Sequence, residues 1–260
     1  MGNVNILCFK WGTCYGPEYV NRLYAGILRN LSRPFRFVCV TDDPTGLVDG
    51  VEAVRFPDAP PGWKYYWPNI FVKLMVFKDG FADLAGATLF LDIDQIVVGR
   101  MDDFFDYKPG EFCMIRNWIE FRKRIFRSVP KIGNSSCFRF EAGQMNHVYE
   151  KFLSEMDMAV QQRYFRTEQA YMTHAVGVEN INWWPSAWVQ SFKRSCMKPF
   201  PLNLVMQPQC PENARILCFH GRPSPVDAIA GYKGRHLNTW VKPCSWVQDK
   251  WMVCEKQENR

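Results

Sequence analysis

The first part of the chain alternates short apolar runs with one stretch of helical spacing. Residues 5–9 form an apolar run that predicts a strand, and apolar residues recur at helical spacing over 20–31 behind Pro17, which suits a first helical turn. Residues 35–40 predict a second strand, and residues 51–56 are a candidate third. This order indicates a β-α-β opening.

The same alternation continues into the most hydrophobic strand of the chain. A stretch with one apolar helical face covers residues 70–77 behind Pro68 and also holds Lys73. Residues 87–91 then form an apolar strand that runs into Asp92-Ile93-Asp94, after which residues 96–98 resume the extended pattern. Alternating strands and helices predict an α/β sheet with mostly parallel strands.

Shorter elements follow Gly110. The pattern predicts strands at 112–115, 137–140 and 215–219 and helices at 143–156 and 167–176. We expect residues 1–222 to form one domain and residues 223–260 to form a C-terminal cap packed on it. Three tryptophans of this tail, Trp240, Trp246 and Trp251, could pack on the domain or touch a membrane surface, and packing is the expected role.

Composition and charge exclude several classes of protein. Hydrophobic residues make up 47% and charged residues 22% of the 260, which excludes disorder as an overall description. The net charge of +6 is far from the strongly basic footprint of nucleic-acid-binding proteins, so we expect no nucleic-acid partner. We interpret the basic stretch over 116–127 as a solvated or acceptor-facing surface.

The ten cysteines contain no Cys-x-x-Cys pair, so a metal-thiolate site is not expected. Several cysteines lie in apolar runs, and we interpret them as buried free thiols of a reducing compartment. The sequence shows no secretory leader pattern and no apolar run of about 18 residues, the length of a membrane span. We therefore expect a soluble, cytoplasmic protein.

Asp92 and Asp94 are the first candidates for chemistry. Side chains two apart on a strand point the same way, about 6 to 7 Å apart, so both carboxylates can reach one site. Two carboxylates at the open carboxyl end of a buried strand suit a hard divalent cation that holds phosphates. The alternative is a strand that ends in solvated turn aspartates, which the apolar run before them disfavours.

Spacing leaves the roles of three other residues open. His220 follows a buried strand and precedes Gly221; it is either a structural histidine or a third metal ligand, and oxygen with imidazole favours Mn²⁺ over Mg²⁺. Asp42 is either a ligand-binding residue or a turn-forming aspartate before Asp43. Lys73 is either solvated or functional.

Three segments together resemble a known family. Residues 10–13 behind the first strand, residues 37–42 and residues 89–94 resemble the GT-A type of nucleotide-sugar-dependent glycosyltransferase. The similarity, over about residues 4 to 223, is to family 8 and its lipopolysaccharide galactosyltransferase and glycogenin-like relatives. It implies a GT-A (Rossmann-like) mixed, mostly parallel sheet flanked by helices. It also implies transfer of a hexose, with retention, from a nucleotide-diphosphate sugar to a glycan, lipid-linked or other hydroxyl acceptor, with a UDP-sugar as the expected donor.

The resemblance also implies roles for individual residues. Asp92, Asp94 and His220 would bind Mn²⁺, with Mg²⁺ as the alternative, and Asp92 would also contact the donor diphosphate. The positions that match base and ribose contacts are Lys10, Trp11, Gly12 and Asp42, and those that match contacts to the donor sugar and its phosphate are Lys73, Asn134, Ser135 and Ser136. Glu168 and Gln169 match residues near the reacting carbon, and Gly221 with Arg222 matches the residues at the departing diphosphate.

Two other functions stay open at this point. An apolar strand running into Asp-x-Asp is also the nucleophile motif of HAD-like phosphatases, in which Asp92 would be phosphorylated and Asp94 would be the acid. Such motifs usually open the chain, whereas this one follows a β-α-β unit. The other alternative is a catalytically silent nucleotide-sugar-binding protein, against which the retained Asp92, Asp94 and His220 argue.

Overall fold

The computed structural model describes residues 3–118, 131–161 and 167–251. Within them, ten strands form two sheets: β1 (Val4–Lys10), β2 (Phe35–Thr41), β3 (Val51–Arg55), β4 (Gly86–Leu91), β5 (Gln95–Val97), β6 (Cys113–Arg116), β7 (Gly133–Ala142), β8 (Asn182–Trp183), β9 (Val189–Ser191) and β10 (Ile216–Cys218). The central sheet has the order β3-β2-β1-β4-β7-β6-β8, and the smaller one has the order β5-β10-β9. Only β7 runs antiparallel to its neighbours in the described central sheet, which confirms the expected mixed, mostly parallel arrangement.

Helices cover both faces of the central sheet. The α-helices are α1 (Pro17–Asn30), α2 (Asp103–Asp106), α3 (Asn146–Ser154), α4 (Met156–Gln161), α5 (Glu168–Val176), α6 (Pro225–Ala230) and α7 (Ser245–Trp251). Pro17 begins α1, as the sequence predicts. The helix expected over 143–156 begins only at Asn146, because Gly143 has a φ of +83° that no helix accommodates.

One helix differs in type from the sequence prediction. Ile70–Phe77 is a 3₁₀-helix in which every residue after Ile70 is buried, so the prediction of a single apolar face is wrong. The reason is its position between the sheet and two helices, α3 and α5, which pack against it. A helix enclosed in this way is apolar all round.

Two hydrophobic cores lie on opposite faces of the central sheet. All seven residues of β1 are buried, and their side chains alternate between the two cores. Ile6 and Cys8 face the core that contains α1, the small sheet and the C-terminal helices, while Leu7 and Phe9 face the core of the 3₁₀-helix, α3 and α5. Cys8 and Cys39 are buried free thiols as interpreted, but Cys14 and Cys210 are exposed, so that interpretation is wrong for these two.

The strand order creates a crevice at one edge of the sheet. The chain passes from β1 through β2 to β3 on one side and then returns to place β4 on the other side of β1. Because β1, β2 and β4 are parallel, their carboxyl ends at Lys10, Thr41 and Leu91 share one edge. This is a topological switch point, where open α/β sheets bind ligands.

The C-terminal helix packs on the main body. Trp251 at the end of α7 is 2% exposed, and its ring lies 5.2 Å from that of Tyr19 in α1. Val247 and Cys244 belong to the same hydrophobic core as β1. None of the helices in the described part of the chain is long and apolar enough to cross a membrane.

Candidate functional site

Asp92 and Asp94 lie in the turn that joins β4 to β5. The strand itself ends at Leu91, so the two carboxylates are not adjacent positions of one pleat, as the spacing argument assumed. The backbone N–H of Asp92 donates to the carbonyl of Ser136 in β7 at 2.9 Å, which fixes the start of the turn. The turn, rather than the strand, directs both carboxylates to one place.

Both aspartates line a pocket of about 360 Å³ at the carboxyl edge of β1 and β4. The other walls come from β1 and the loop that follows it, and from the 3₁₀-helix. The lining residues are Phe9, Lys10, Trp11, Cys14, Tyr15, Ile70, Lys73, Asp92, Ile93 and Asp94. The pocket therefore combines aromatic walls, two lysines and two carboxylates, a composition that suits a ligand with a flat ring and phosphates.

Lys73 joins two carboxylates that are far apart in the sequence. Its side chain is buried, with Nζ 2.7 Å from Asp92 Oδ1 and 3.7 Å from Glu168 Oε1. Burial lowers the pKa of Lys73, but the charges of Asp92 and Glu168 outweigh it and raise the pKa above its ordinary value. The ammonium is therefore charged, and the solvated alternative for Lys73 is wrong.

Glu168 is the first residue of α5 and is held in a fixed orientation. Its Oε1 accepts a hydrogen bond of 2.7 Å from the hydroxyl of Ser135, and its residue exposure is 8%. Ser135 lies in β7, beside β4, and its carbonyl accepts from Lys73 Nζ at 3.4 Å. Gln169, the next residue of α5, is half-buried, and its carbonyl accepts from Thr173 Oγ1.

The other two residues of the Asn-Ser segment support the turn. Asn134 Oδ1 accepts from the backbone N–H of Ser136 at 3.0 Å, and the carbonyl of Ser136 accepts from Asp92 and from Gln95 Nε2. Gln95 belongs to β5, so Ser136 connects the central sheet to the small sheet. The segment thus lies within a strand, and part of its role is to position Asp92.

The predicted base and ribose positions lie together at the ends of β1 and β2. The backbone N–H of Gly12 donates to Asp42 Oδ2 at 2.8 Å, and Lys10 Nζ donates to the carbonyl of Asp43 at 3.4 Å. Gly12 has a φ of +64° and no atom within 4 Å of where a Cβ would lie, so its backbone is open to close approach. The turn contact of this segment is made by Asp43, whose Oδ1 accepts from the backbone N–H of Thr45 at 2.9 Å. Trp11 packs edge-on against Phe56 at 6.0 Å.

Asp94 is the more strongly perturbed of the two carboxylates. Burial first, and the charge of Asp92 second, raise the pKa of Asp94 to about 7. The hydroxyl of Tyr15 hydrogen-bonds to Asp94, and burial together with Asp94 raises the pKa of Tyr15 to about 12. Sequence reasoning missed Tyr15; its only signal was its place in the Gly/Pro loop directly after β1.

His220 follows the small sheet, not the central one. It comes two residues after β10, its ring lies 4.8 Å from that of Trp118, and its carbonyl accepts from Lys193 Nζ. Burial, and then Lys193 and Arg194, lower the pKa of His220, so the imidazole is neutral at pH 7. Its Nε2 is buried without a hydrogen-bond partner among the described residues.

The side chains of Asp92, Asp94 and His220 have the chemistry of ligands for a divalent cation, but in the described part of the chain the three are not grouped closely enough to form a metal site. Asp92 and Asp94 supply carboxylate oxygens, and His220 supplies a neutral, orphaned imidazole nitrogen. Across residues 3–118, 131–161 and 167–251, no three His, Cys, Asp or Glu side chains are grouped closely enough to hold a metal. The three-ligand site stays a prediction.

The segment after His220 is tied to the C-terminal region. Gly221 has a φ of +61°, and Arg222 Nη1 lies 2.5 Å from Asp227 Oδ1. Asp227 also completes the capping box of α6 with Ser224. The Arg222 guanidinium is therefore held beside α6. Of the basic stretch, Arg116 is exposed at the end of β6, whereas residues 119–130 lie outside the described residues.

Comparisons with known proteins identify the fold. No family model matches the chain, and no curated protein matches it. The apo structure of WbbM, a bifunctional glycosyltransferase, is similar with a TM-score of 0.56 and 12% identity over 86% of this chain, which spans 46% of the WbbM chain. The galactosyltransferase LgtC with donor and acceptor sugar analogs is similar with a TM-score of 0.53 and 12% identity over 91% of both chains. An active-site mutant of LgtC is similar with a TM-score of 0.53 and 11% sequence identity, over 85% of this chain and 89% of the LgtC chain. At such identities the similarity concerns the fold, and it confirms the GT-A fold implied by the sequence resemblance.

Proposed function

We propose that the protein is a metal-dependent hexosyltransferase that moves a hexose from a nucleotide-diphosphate sugar, a UDP-sugar by expectation, to a hydroxyl of a glycan or lipid-linked acceptor. One observation carries the proposal: the buried Lys73 ammonium lies between Asp92 and Glu168 at the switch point of the sheet. The fold supports it, since LgtC, named a galactosyltransferase, shares the fold and was crystallised with donor and acceptor sugar analogs.

Different residues around the pocket would contact different parts of the donor. Trp11 offers a flat face for the base, and the open backbone at Gly12 together with Asp42 offers polar groups for the ribose. Lys73 lines the same pocket and would contact the diphosphate. Asn134 and Ser136 hold the turn of Asp92 in place, so their contribution is to positioning.

The reaction develops negative charge on the departing diphosphate, and Lys73 and Arg222 are the positive residues that would stabilise it. Breaking the bond between the sugar and the phosphate leaves charge on the departing diphosphate, and a buried ammonium at Lys73 stabilises this charge more in the transition state than in the ground state. A divalent cation held by Asp92, Asp94 and His220 would act as a Lewis acid on the same diphosphate. Arg222, exposed beside Asp227, would add a second positive group for the departing diphosphate.

We propose that Glu168 and Gln169 lie on the sugar side of the site, as the resemblance to family 8 implies. Ser135 fixes the Glu168 carboxylate, which leaves its second oxygen free of that hydrogen bond. A retaining transfer would use Glu168 or Gln169 on the far face of the sugar, or would let the acceptor attack from the leaving-group side. An inverting transfer would need a carboxylate base at the acceptor hydroxyl. We propose retention, in line with the resemblance to family 8.

The two competing functions differ in what the protein would release. A HAD-like phosphatase would hydrolyse phosphomonoesters through Asp92, but the similarity of the fold to WbbM and LgtC favours the transferase. A silent nucleotide-sugar-binding protein would bind donors without turnover. Measured hydrolysis of a nucleotide sugar in the absence of acceptor therefore separates the transferase from both.

The test uses a thermal-shift screen of nucleotide sugars with and without Mn²⁺. We expect one donor to raise the Tm only when Mn²⁺ is present, because a ligand that binds only the folded state stabilises it by mass action. Asp94→Asn and His220→Ala should each abolish both this shift and Mn²⁺-dependent donor hydrolysis. The control is Asp49→Asn, at an exposed turn residue before β3. Full activity in both site variants would contradict the metal assignment.

A further inference from the structure

An exposed apolar surface lies in the C-terminal part of the chain, outside the donor pocket. Its large apolar side chains project from short turns instead of packing. They are Val205 (75% exposed), Phe200 (54%), Leu202 (47%), Leu237 (47%) and Met206 (39%). Clustered exposure of this kind marks an interaction site, whereas isolated exposed apolar residues do not.

A buried asparagine joins the two segments that carry these residues. Asn203 is 3% exposed, and its Nδ2 donates to the carbonyls of Leu237 at 2.8 Å and Trp240 at 3.0 Å. The 3₁₀ turn Leu202–Leu204 packs against the turn Leu237–Thr239. Residues 198–206 and 230–242 therefore form one preorganised unit, which we call the apolar–cationic surface.

The charge of this surface has one sign. Lys198, Lys233, Arg235 and Lys242 belong to it, and neither 196–211 nor 228–248 contains an Asp or Glu. Lys233, Arg235 and Lys242 are exposed. The acidic residues that flank the two segments in the sequence are Glu179, Glu212, Asp227 and Asp249. Asp227 is already held by Arg222 and the α6 cap.

A hollow of about 550 Å³ lies between the two segments. Tyr232 and Trp240 contribute aromatic walls, and Lys233 and Lys242 contribute the charge. Lys233 Nζ lies 5.3 Å from the ring centroid of Trp240. Rings with a polar tip and lysines with a long apolar stem are the side chains that settle at the boundary between hydrocarbon and water.

We propose that the apolar–cationic surface docks the protein on a membrane that carries anionic phospholipids. Side chains as far exposed as Val205 and Phe200 can enter a fluid lipid layer without a matching concave partner. The surrounding cations are attracted to anionic headgroups. The inference goes beyond the proposed transfer activity, because docking does not depend on it.

The membrane contact thus belongs to a different part of the chain from the tryptophans of the tail. Trp251 is buried against Tyr19, and Trp246 Nε1 donates to the carbonyl of Pro208 at 2.9 Å. These two rings pack on the protein, in line with the expected role of the tail. Only Trp240 takes part in the apolar–cationic surface.

The experiment is co-sedimentation of the full chain with vesicles. Vesicles of phosphatidylcholine alone are compared with vesicles that also contain phosphatidylglycerol, at low and high salt. We expect binding to the anionic vesicles only, weakened by salt. Lys233→Gln with Arg235→Gln should lower the partition coefficient about 30-fold, at about 1 kcal/mol for each cation. Leu202→Asp with Val205→Asp should lower it at least about tenfold.

The matched control is Val48→Asp, which places the same charge at an apolar residue that is 44% exposed in the loop before β3. It should bind vesicles as the unmodified chain does, and donor hydrolysis should be the same in all these variants. Equal binding to both vesicle types, no binding to either, or unchanged binding of both double variants would overturn the proposal. The cation variant decides the outcome if the apolar one does not fold. Loss of vesicle binding with intact donor hydrolysis leaves the proposed function untouched.

Discussion

At the scale of single residues, Lys73 determines the character of the site. It lies in an enclosed 3₁₀-helix whose other residues are all apolar, and burial removes the hydration that its ammonium has in water. Asp92 and Glu168 compensate for that loss from two other parts of the chain. Because a buried ion pair adds little net stability compared with apolar packing of the same volume, we attribute the charge of Lys73 to the proposed reaction.

Lys73→Met should therefore separate the role of the charge from that of the fold. We expect kcat/KM for donor hydrolysis to fall at least about 100-fold, because the departing diphosphate loses a buried positive group. The free energy of unfolding should fall by about 3 kcal/mol, since Asp92 and Glu168 are left without their partner. Activity and urea unfolding are measured on the same preparation.

The control for this variant is Lys78→Met, at the exposed residue that follows the same 3₁₀-helix. It removes the same charge near the same element and should change neither measurement by more than about 0.5 kcal/mol. If Lys73→Met kept full activity while Lys78→Met did so too, Lys73 would have no part in the reaction.

The sequence predicted the location of the site carboxylates correctly, but it did not predict the backbone geometry that orients them. An apolar strand ending at Asp92 was enough to locate the edge of the sheet, because parallel strands present their carboxyl ends together. The pleat argument for Asp94 was wrong, since the strand ends one residue before Asp92. The contacts of Lys73 and Tyr15 depend on how distant segments pack, which periodicity along the chain does not encode.

At the scale of elements, Asp102 connects the end of α1 to the start of α2. Its carboxylate accepts from Ser32 Oγ at 2.8 Å, from the Ser32 backbone at 3.1 Å and from Arg33 Nε at 3.1 Å. Burial raises the pKa of Asp102, but the hydrogen bonds from Ser32 and Arg33 outweigh it and hold the pKa below its ordinary value. The ionised form is therefore the one that stabilises the fold.

Asp102→Asn should reveal this contribution through its pH dependence. A carboxyl whose folded pKa is lowered stabilises the protein above its unfolded pKa of about 4, and this stability is lost as the pH falls toward the folded pKa. We expect the variant to be about 1 to 3 kcal/mol less stable at pH 7, with the difference shrinking in acid. Urea unfolding across pH measures it. The control is Asp106→Asn, at a side chain that is 50% exposed, which should change the free energy of unfolding little. A stability difference for Asp102→Asn that grew in acid would contradict the assignment.

Arg139 plays a similar connecting role, without a carboxylate partner among the residues that the structure describes. It is fully buried in β7, and its guanidinium donates to the carbonyls of Tyr107 at 2.7 Å and Glu111 at 2.9 Å, and also to those of Phe104 and Lys108. It thereby holds α2 and the loop behind it against the sheet. Only a planar fork of donors can reach these carbonyls together.

Arg139→Lys and Arg139→Met should therefore destabilise the protein by similar amounts, about 3 kcal/mol, because neither side chain satisfies the carbonyls. Chemical unfolding at pH 7 gives the values. Arg100→Lys is the control, at a side chain that is 64% exposed, and should stay within about 0.5 kcal/mol. Full rescue by lysine at residue 139 would show that charge alone matters there.

Helices and strands were predicted correctly where their apolar residues repeat with a clear local periodicity. The helix α1 and the strands β1 and β2 follow from local periodicity, and their bounds agree with the sequence to within a residue or two. The enclosed segment Ile70–Phe77 did not follow, because burial on all sides removes the amphipathic signal that distinguishes helix types. Nor could the antiparallel direction of β7 be deduced, since strand pairing is set by the connection and the partner strand.

At the scale of the whole molecule, one core connects the candidate site to the C-terminal region. The core that takes Ile6 and Cys8 of β1 also contains Cys244, Val247 and Trp251. Trp251 contacts the ring of Tyr19 at 5.2 Å and lies 4.2 Å from the guanidinium of Arg22, both in α1. We therefore propose that the region after residue 222 is a cap that shares the core of the main domain.

Trp251→Ala tests whether cap and main domain unfold as one unit. Removing a buried indole should cost about 3 to 5 kcal/mol, and the whole transition should shift, because the indole packs in a core that both regions share. Urea unfolding is followed by far-UV circular dichroism and by tryptophan fluorescence, whose curves should coincide. Val226→Ala, at a residue of α6 that is 50% exposed, is the control and should leave the midpoint unchanged. Two separate transitions, with only the first moved by Trp251→Ala, would show instead that the C-terminal region is an independent domain.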